Sequence, residues 1–357
     1  MEKLQVVDKR YAENLELAKQ LCYDSDKRVA FLRAGLIGTL LDPRVRKEFD
    51  AHKHLTSAIL EQLSREEDWA MHVAVEREVL SLALGVVFRY VRPMVSGTNL
   101  YTEMTHPDSQ FFAHTQESFV YLRNNLSILV NLAVADESIL REIAKFNIVP
   151  KLLYVIDKVH TSTEPGDQAS IAVPCKSLAL TLLNLCLRLR EVADRTCKDV
   201  DTLLWYFRVL EQSIVSVHNP GLVQSLAYLS RSTYFTPTLQ GKHIIRDWTY
   251  GTLCSILMPE RRDHRWYEVN PEVLDEERQV ETMDHFLQTL VNTSNTNGGV
   301  QEIMYSIFHH NSDILWRSFA AILHFKPLPT HLMMVCLNLA NNMLRYPGYK
   351  PPKHSST

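Results

Sequence analysis

Glycine is scarce in this chain, with 11 residues in 357. Tight hairpins and phosphate-cradling loops both consume glycine, so its scarcity favours helices joined by short polar turns. Charge is equally unpronounced: 38 Lys and Arg stand against 41 Asp and Glu, a formal net charge of −3. That balance lacks the concentrated basic excess expected of a nucleic-acid binder. The six cysteines, Cys22, Cys175, Cys186, Cys197, Cys254 and Cys336, form no CxxC pair. They read as reduced core thiols of a cytoplasmic or nuclear protein. The start, MEKLQVVDKRYAENLELAKQL, carries acids throughout and has no apolar signal region, so secretion is not expected. The most apolar run, Leu178 to Leu187, is short and contains Asn184. It reads as a buried helix, and membrane insertion is not expected.

Chemistry-bearing motifs are missing as well. No HExxH, Cys/His quartet, GxSxG elbow, Walker A loop or dinucleotide fingerprint occurs, and Gly298 with Gly299 is only a pair. His52 with His54, and His309 with His310, point to different helix faces. Cys175, Cys186 and Cys197 are evenly spaced but would align only along one continuous helix, and Arg188 to Ala193 reads as a turn. The expectation is therefore a protein without catalytic residues, metal, cofactor or small-molecule substrate.

What the chain does contain is helical periodicity from end to end. The stretch Asn124 to Ile156 reads as three short helices: Asn124 to Val134, a second capped by Asp136, and a third opened by Pro150. Before it, YAENLELAKQLCY and DKRVAFLRAGLIGTLL read as capping helices within residues 1–41, with Asp24 and Ser25 as cap candidates. Asp42 and Pro43 open the next unit, whose third helix is Val73 to Val91. After Ile156, helices resume from Cys175. Segments near 157–173 and 259–280 read as exposed insertions, the second rich in Arg261, Arg262, Arg265, Trp266 and Tyr267. Residues 1–345 form one expected repeat domain, and 346–357 a disordered tail.

The long third helices superimpose on one slot, occupied by Gly85, Asn131, Asn184, Tyr228, Asn292 and Asn338. Apolar residues stand two before and one after nearly every slot. Once the two insertions are subtracted, the intervals approach the period of about 40 to 47 residues found in helical solenoids.

These strings resemble the armadillo-repeat family. Leu129-Val130-Asn131-Leu132-Ala133 is similar to the family's third-helix pattern A-L-x-N-L-A, and Lys145 to Leu152 to its E-x-G-x-I-P-x-L join, with Asn147 in the glycine position. Asparagine visits left-handed backbone more readily than other side chains. The resemblance covers roughly Asp42 to Tyr346. It implies an all-α fold, a right-handed superhelical solenoid of three-helix repeats, with third helices lining a concave groove. In several family members the slot asparagines bind the backbone of an extended peptide. Carried over, that role falls on Asn131, Asn184, Asn292 and Asn338, interrupted by Tyr228 and Gly85. Ser127, Gln224 and Gln288, four residues before their slots, stand where import receptors of the family carry tryptophan, so no tryptophan ladder exists. Arg231 and Asn341 line the same expected groove, which is polar and nearly neutral.

The sequence thus predicts a non-catalytic scaffold or adaptor that holds a protein segment in its groove. The alternative is a regulator of a folded partner, such as a chaperone cofactor, exchange factor or ubiquitin-ligase substrate receptor. A structural use of the slot asparagines, bridging neighbouring repeats, competes with the peptide-binding one.

Overall fold

The computed structural model describes residues 2–41, 52–66, 69, 78–90, 116–161, 169–214, 220–240, 244, 276–310 and 330–345. Within them all regular structure is helical, with no strand. The chain divides into two compact units, Met1–Cys186 and Leu187–Thr357. The expected loop at 93–114, the Trp266-bearing stretch and the tail lie largely or wholly outside the described residues.

The first unit opens with α1 (Glu2–Leu21), α2 (Ser25–Arg33) and α3 (Leu36–Leu41). Asp24 caps α2 by accepting from the N–H groups of Asp26 and Lys27, as its residue type predicts. The segment read as one helix, DKRVAFLRAGLIGTLL, is broken: Gly35 takes φ 74° between α2 and α3. A residue without Cβ accepts that left-handed backbone at little cost, so the chain turns there. Arg28 fastens the preceding turn, between α1 and α2. Its guanidinium pairs with Glu66 and donates to the carbonyls of Cys22 (2.9 Å) and Tyr23 (3.1 Å) at the end of α1.

Next come α4 (Lys53–Leu63), α5 (Glu78–Tyr90), α6 (Gln116–Ala135), α7 (Glu137–Lys145), α8 (Val149–Thr161) and α9 (Ala169–Arg188). Helix α6 is central, packing on α4, α5 and α7, while α1 and α2 pack on α4. Leu122, Leu126, Ile128, Leu129 and Leu132 of α6 are fully buried. Fully burying each such side chain is worth about 1.5–3 kcal/mol, the main force holding the unit together. Asp136 caps α7 through the Ser138 N–H at 2.7 Å, and hydrogen bonding from the Ser138 hydroxyl, with that N–H bond second, lowers its carboxyl from the ordinary value. Asn147 has φ 46°, the left-handed conformation its place in the glycine position predicts.

The segment expected as an insertion at 157–173 is helical at both ends. Helix α8 runs on to Thr161, and α9 begins at Ala169 and includes Pro174. Proline so near the start of a long helix forfeits one backbone bond, which the following turns outweigh.

The second unit contains α10 (Arg190–Lys198), α11 (Val200–Ile214), α12 (Pro220–Leu229), α13 (Phe235–Leu239), α14 (Glu276–Ser294), α15 (Asn297–His310) and α16 (Thr330–Leu344). Between α9 and α10 stands Leu189, which begins the new helix. The evenly spaced cysteines are therefore on two helices, as the turn reading requires. Helix α10 packs on α11, α12 and α13; α14 packs on α12, α15 and α16. Tyr206 donates its hydroxyl to the Leu222 carbonyl, and Thr238 reaches the Cys197 carbonyl at 2.9 Å.

Candidate functional site: the joins between long helices

Helices α4 and α6 are joined by a polar seam. His54 makes an edge contact with the Tyr121 ring at 5.3 Å, and the Asn124 amide donates to the Ser57 hydroxyl at 3.3 Å. The Ser127 hydroxyl donates to Glu61 Oε1 at 3.2 Å, and the Asn131 amide to the Ser64 hydroxyl at 2.7 Å. Numbers rise together on both helices, so the two run parallel. The α4 contributors stand at i, i+3, i+7 and i+10, which places them on one face.

Ser64 has two tasks. Its hydroxyl donates to the Glu61 carbonyl at 2.7 Å, occupying one of the orphan carbonyls at the end of α4, and its lone pairs receive Asn131. The same device recurs twice in the second unit. Ser230 donates to the Ala227 carbonyl (2.9 Å) and accepts from Asn292 (2.9 Å). Ser294 donates to the Val291 carbonyl (2.8 Å) and accepts from Asn342 (2.9 Å), whose amide also reaches Asn295 Oδ1 at 3.0 Å. Helices α4, α12 and α14 thus each end on a buried serine that takes the amide of a later long helix.

The serines carry a string that the slot comparison only half captured. Leu60-Glu61-Gln62-Leu63-Ser64, Leu226-Ala227-Tyr228-Leu229-Ser230 and Leu290-Val291-Asn292-Thr293-Ser294 share leucine and serine four apart. Two positions before each serine is the slot, so the slot that precedes Asn131 is Gln62 of α4. Gly85 of α5 is not in that register, although α5 also packs on α6. Ala133 stands in the serine place of α6 and has no hydroxyl to offer, which is why the string fades there.

The expected site residues divide accordingly. Asn131 and Asn292 are half-buried, with their amide N–H groups committed to serines; Asn292 Oδ1 also accepts from Gln288 at 3.1 Å. Ser127 is committed to Glu61, a buried carboxylate that Arg65 (2.9 Å) and Gln62 (2.9 Å) also serve. Asn184 and Gln224 are half-buried. Tyr228 is half-buried beneath the Arg231 guanidinium, 4.9 Å from the ring centre, and Arg231 is exposed. Asn338 and Asn341 are exposed. In α16 the serine-seeking asparagine is Asn342, one helical turn beyond Asn338, so the register slides by a turn along that helix.

Nothing in this arrangement resembles a nucleophile site. Burial pushes the thiols of Cys22 and Cys336 up to about 11 and those of Cys175, Cys186 and Cys197 to about 12, so none supplies a thiolate near neutrality. Among the described residues no three His, Cys, Asp or Glu side chains gather as a metal site would need, and no helix is long and apolar enough to cross a membrane. No family model matches the chain, and no curated protein matches it.

Proposed function

We propose that this protein is a non-catalytic interaction scaffold built as an armadillo-like α-solenoid, with a protein segment bound along its long helices. The observation that supports this reading is the recurring join itself: Asn131 on Ser64, Asn292 on Ser230 and Asn342 on Ser294 repeat one contact at one helical phase. Repeated lateral joining extends a surface without building a pocket, and an extended surface suits a partner chain.

In this reading two of the slot asparagines serve the joins, and recognition falls on side chains left outside them. Arg231 is the anchor: the Tyr228 ring fixes its guanidinium, and its rigid fork of donors suits backbone carbonyls or a carboxylate. Affinity capture from cells comparing wild type, Arg231→Ala and Asn131→Ala tests this. Arg231→Ala should lose bound partners at unchanged melting temperature, while Asn131→Ala should lower the melting temperature and retain partners. The opposite pattern would restore peptide binding to the asparagine row.

A further inference from the structure

Two cations of the second unit are held in place without being neutralised. The Lys198 ammonium stands 4.3 Å from the centre of the Tyr234 ring, and the Arg231 guanidinium 4.9 Å from that of Tyr228. Both distances are within cation–π range, and both cationic residues are exposed. Other cations of the chain pair with acids even at the surface: Arg141 meets Glu137 at 2.7 Å, and Arg65 meets Glu61 at 2.9 Å. Among the described residues neither Lys198 nor Arg231 has a carboxylate partner.

The two belong to one patch. Lys198 is the last residue of α10, and Arg231 stands two residues beyond the end of α12. Cys197, beside Lys198, donates its thiol to the Leu229 carbonyl at 3.5 Å, and the Thr238 hydroxyl closes back on the Cys197 carbonyl at 2.9 Å. The turn that presents Arg231 and Tyr234 is itself tied, since the Tyr234 N–H donates to the buried Ser232 hydroxyl at 3.2 Å. A fixed frame therefore carries both rings. The charged heads give up part of their freedom before any ligand arrives, which lowers the entropic cost of binding one.

The nearest internal acid is turned away. Asp199, next to Lys198, accepts from the Thr202 hydroxyl (2.6 Å) and N–H (3.4 Å) at the start of α11. The complementary charge is thus left for a partner to bring. An arginine fork receives one carboxylate through two donors, and an ammonium receives a second as a point charge. A nucleic-acid backbone fits worse, because exposed Glu191, Asp199 and Asp201 on the same stretch repel its continuous charge. A short segment with two carboxylates meets both cations without extending over those acids.

We infer that this patch recognises an acidic segment of a partner protein, with one carboxylate on Arg231 and a second on Lys198. The inference rests on the scaffold reading above and gives its partner a chemistry. Selection of random phage-displayed peptides on the full chain, followed by fluorescence anisotropy with the peptides selected, tests it. Those peptides should carry paired Asp or Glu, and analogues with Asn or Gln in their place should bind less well. Arg231→Ala and Lys198→Ala should each weaken binding about fivefold at unchanged melting temperature. Affinity should also fall as salt rises from about 0.05 M to about 0.5 M. Lys145→Ala, which removes an exposed cation of the first unit, should change nothing. Selected peptides that lack acidic residues overturn the inference while the scaffold reading stands, as do acidic peptides indifferent to both Arg231→Ala and Lys198→Ala. Single-stranded DNA bound more tightly than the acidic peptides overturns it too. A selection that yields no peptide removes both the inference and the reading beneath it.

Discussion

At the scale of single residues, the thiols and the seam carboxylate explain how a polar interior is tolerated. Glu61 is buried but surrounded by Arg65, Gln62 and Ser127, so its charge and lone pairs are met. The cysteines are met differently, by staying neutral. Their folded thiols titrate at about 11 to 12, above the ordinary value of 9.0. Between those values the unfolded chain sheds thiol protons that the native chain retains, so stability is intact below pH 9 and falls as pH rises through 12. For Cys186 the loss is about 1.4 kcal/mol one unit above the unfolded value. Urea midpoints at pH 8 and pH 10 check this: the drop should be smaller in Cys186→Ala than in wild type. Per-cysteine mass spectrometry should find the five described thiols alkylated only on unfolding.

At the scale of elements, the turn from α14 to α15 shows which glycines are structural. A Cβ at Gly299 would lie 1.9 Å from the Thr293 carbonyl oxygen, backbone that cannot retreat, whereas one at Gly298 meets only the flexible Gln240 side chain at 3.2 Å. Gly299→Ala is expected to cost about 3 kcal/mol or more, at or beyond the upper end of ordinary overpacking, and Gly298→Ala a small fraction of that. Thermal melts of the two variants separate them. The helices themselves were legible in the sequence because period and caps are local: Asp24, Asp136 and the left-handed Asn147 all do what their residue types suggest. The break at Gly35 was legible only as a glycine. The joins were less so. A slot asparagine looks the same whether it reads a ligand or reaches a serine on an earlier helix, and the register of α16 slides by a turn without disturbing its apolar periodicity. The Leu-x-x-x-Ser string at Ser64, Ser230 and Ser294 was the missed signal, since a serine at a helix end also serves as an ordinary cap.

At the scale of the molecule, two units each contain the same join, Asn131 on Ser64 in one and Asn292 on Ser230 with Asn342 on Ser294 in the other. A chain with few glycines, balanced charge and all-helical regular structure among its described residues commits polar side chains to joining helices, the observation behind the proposed scaffold reading. That reading depends on the joins being energetic contacts and not coincidences of packing. A double-mutant cycle on Asn131→Ala and Ser64→Ala, followed by chemical unfolding, measures this directly. The account predicts that each single variant loses about 1 kcal/mol and that the double variant loses markedly less than their total, a coupling of about 0.5–1.5 kcal/mol. Strictly additive losses would contradict it.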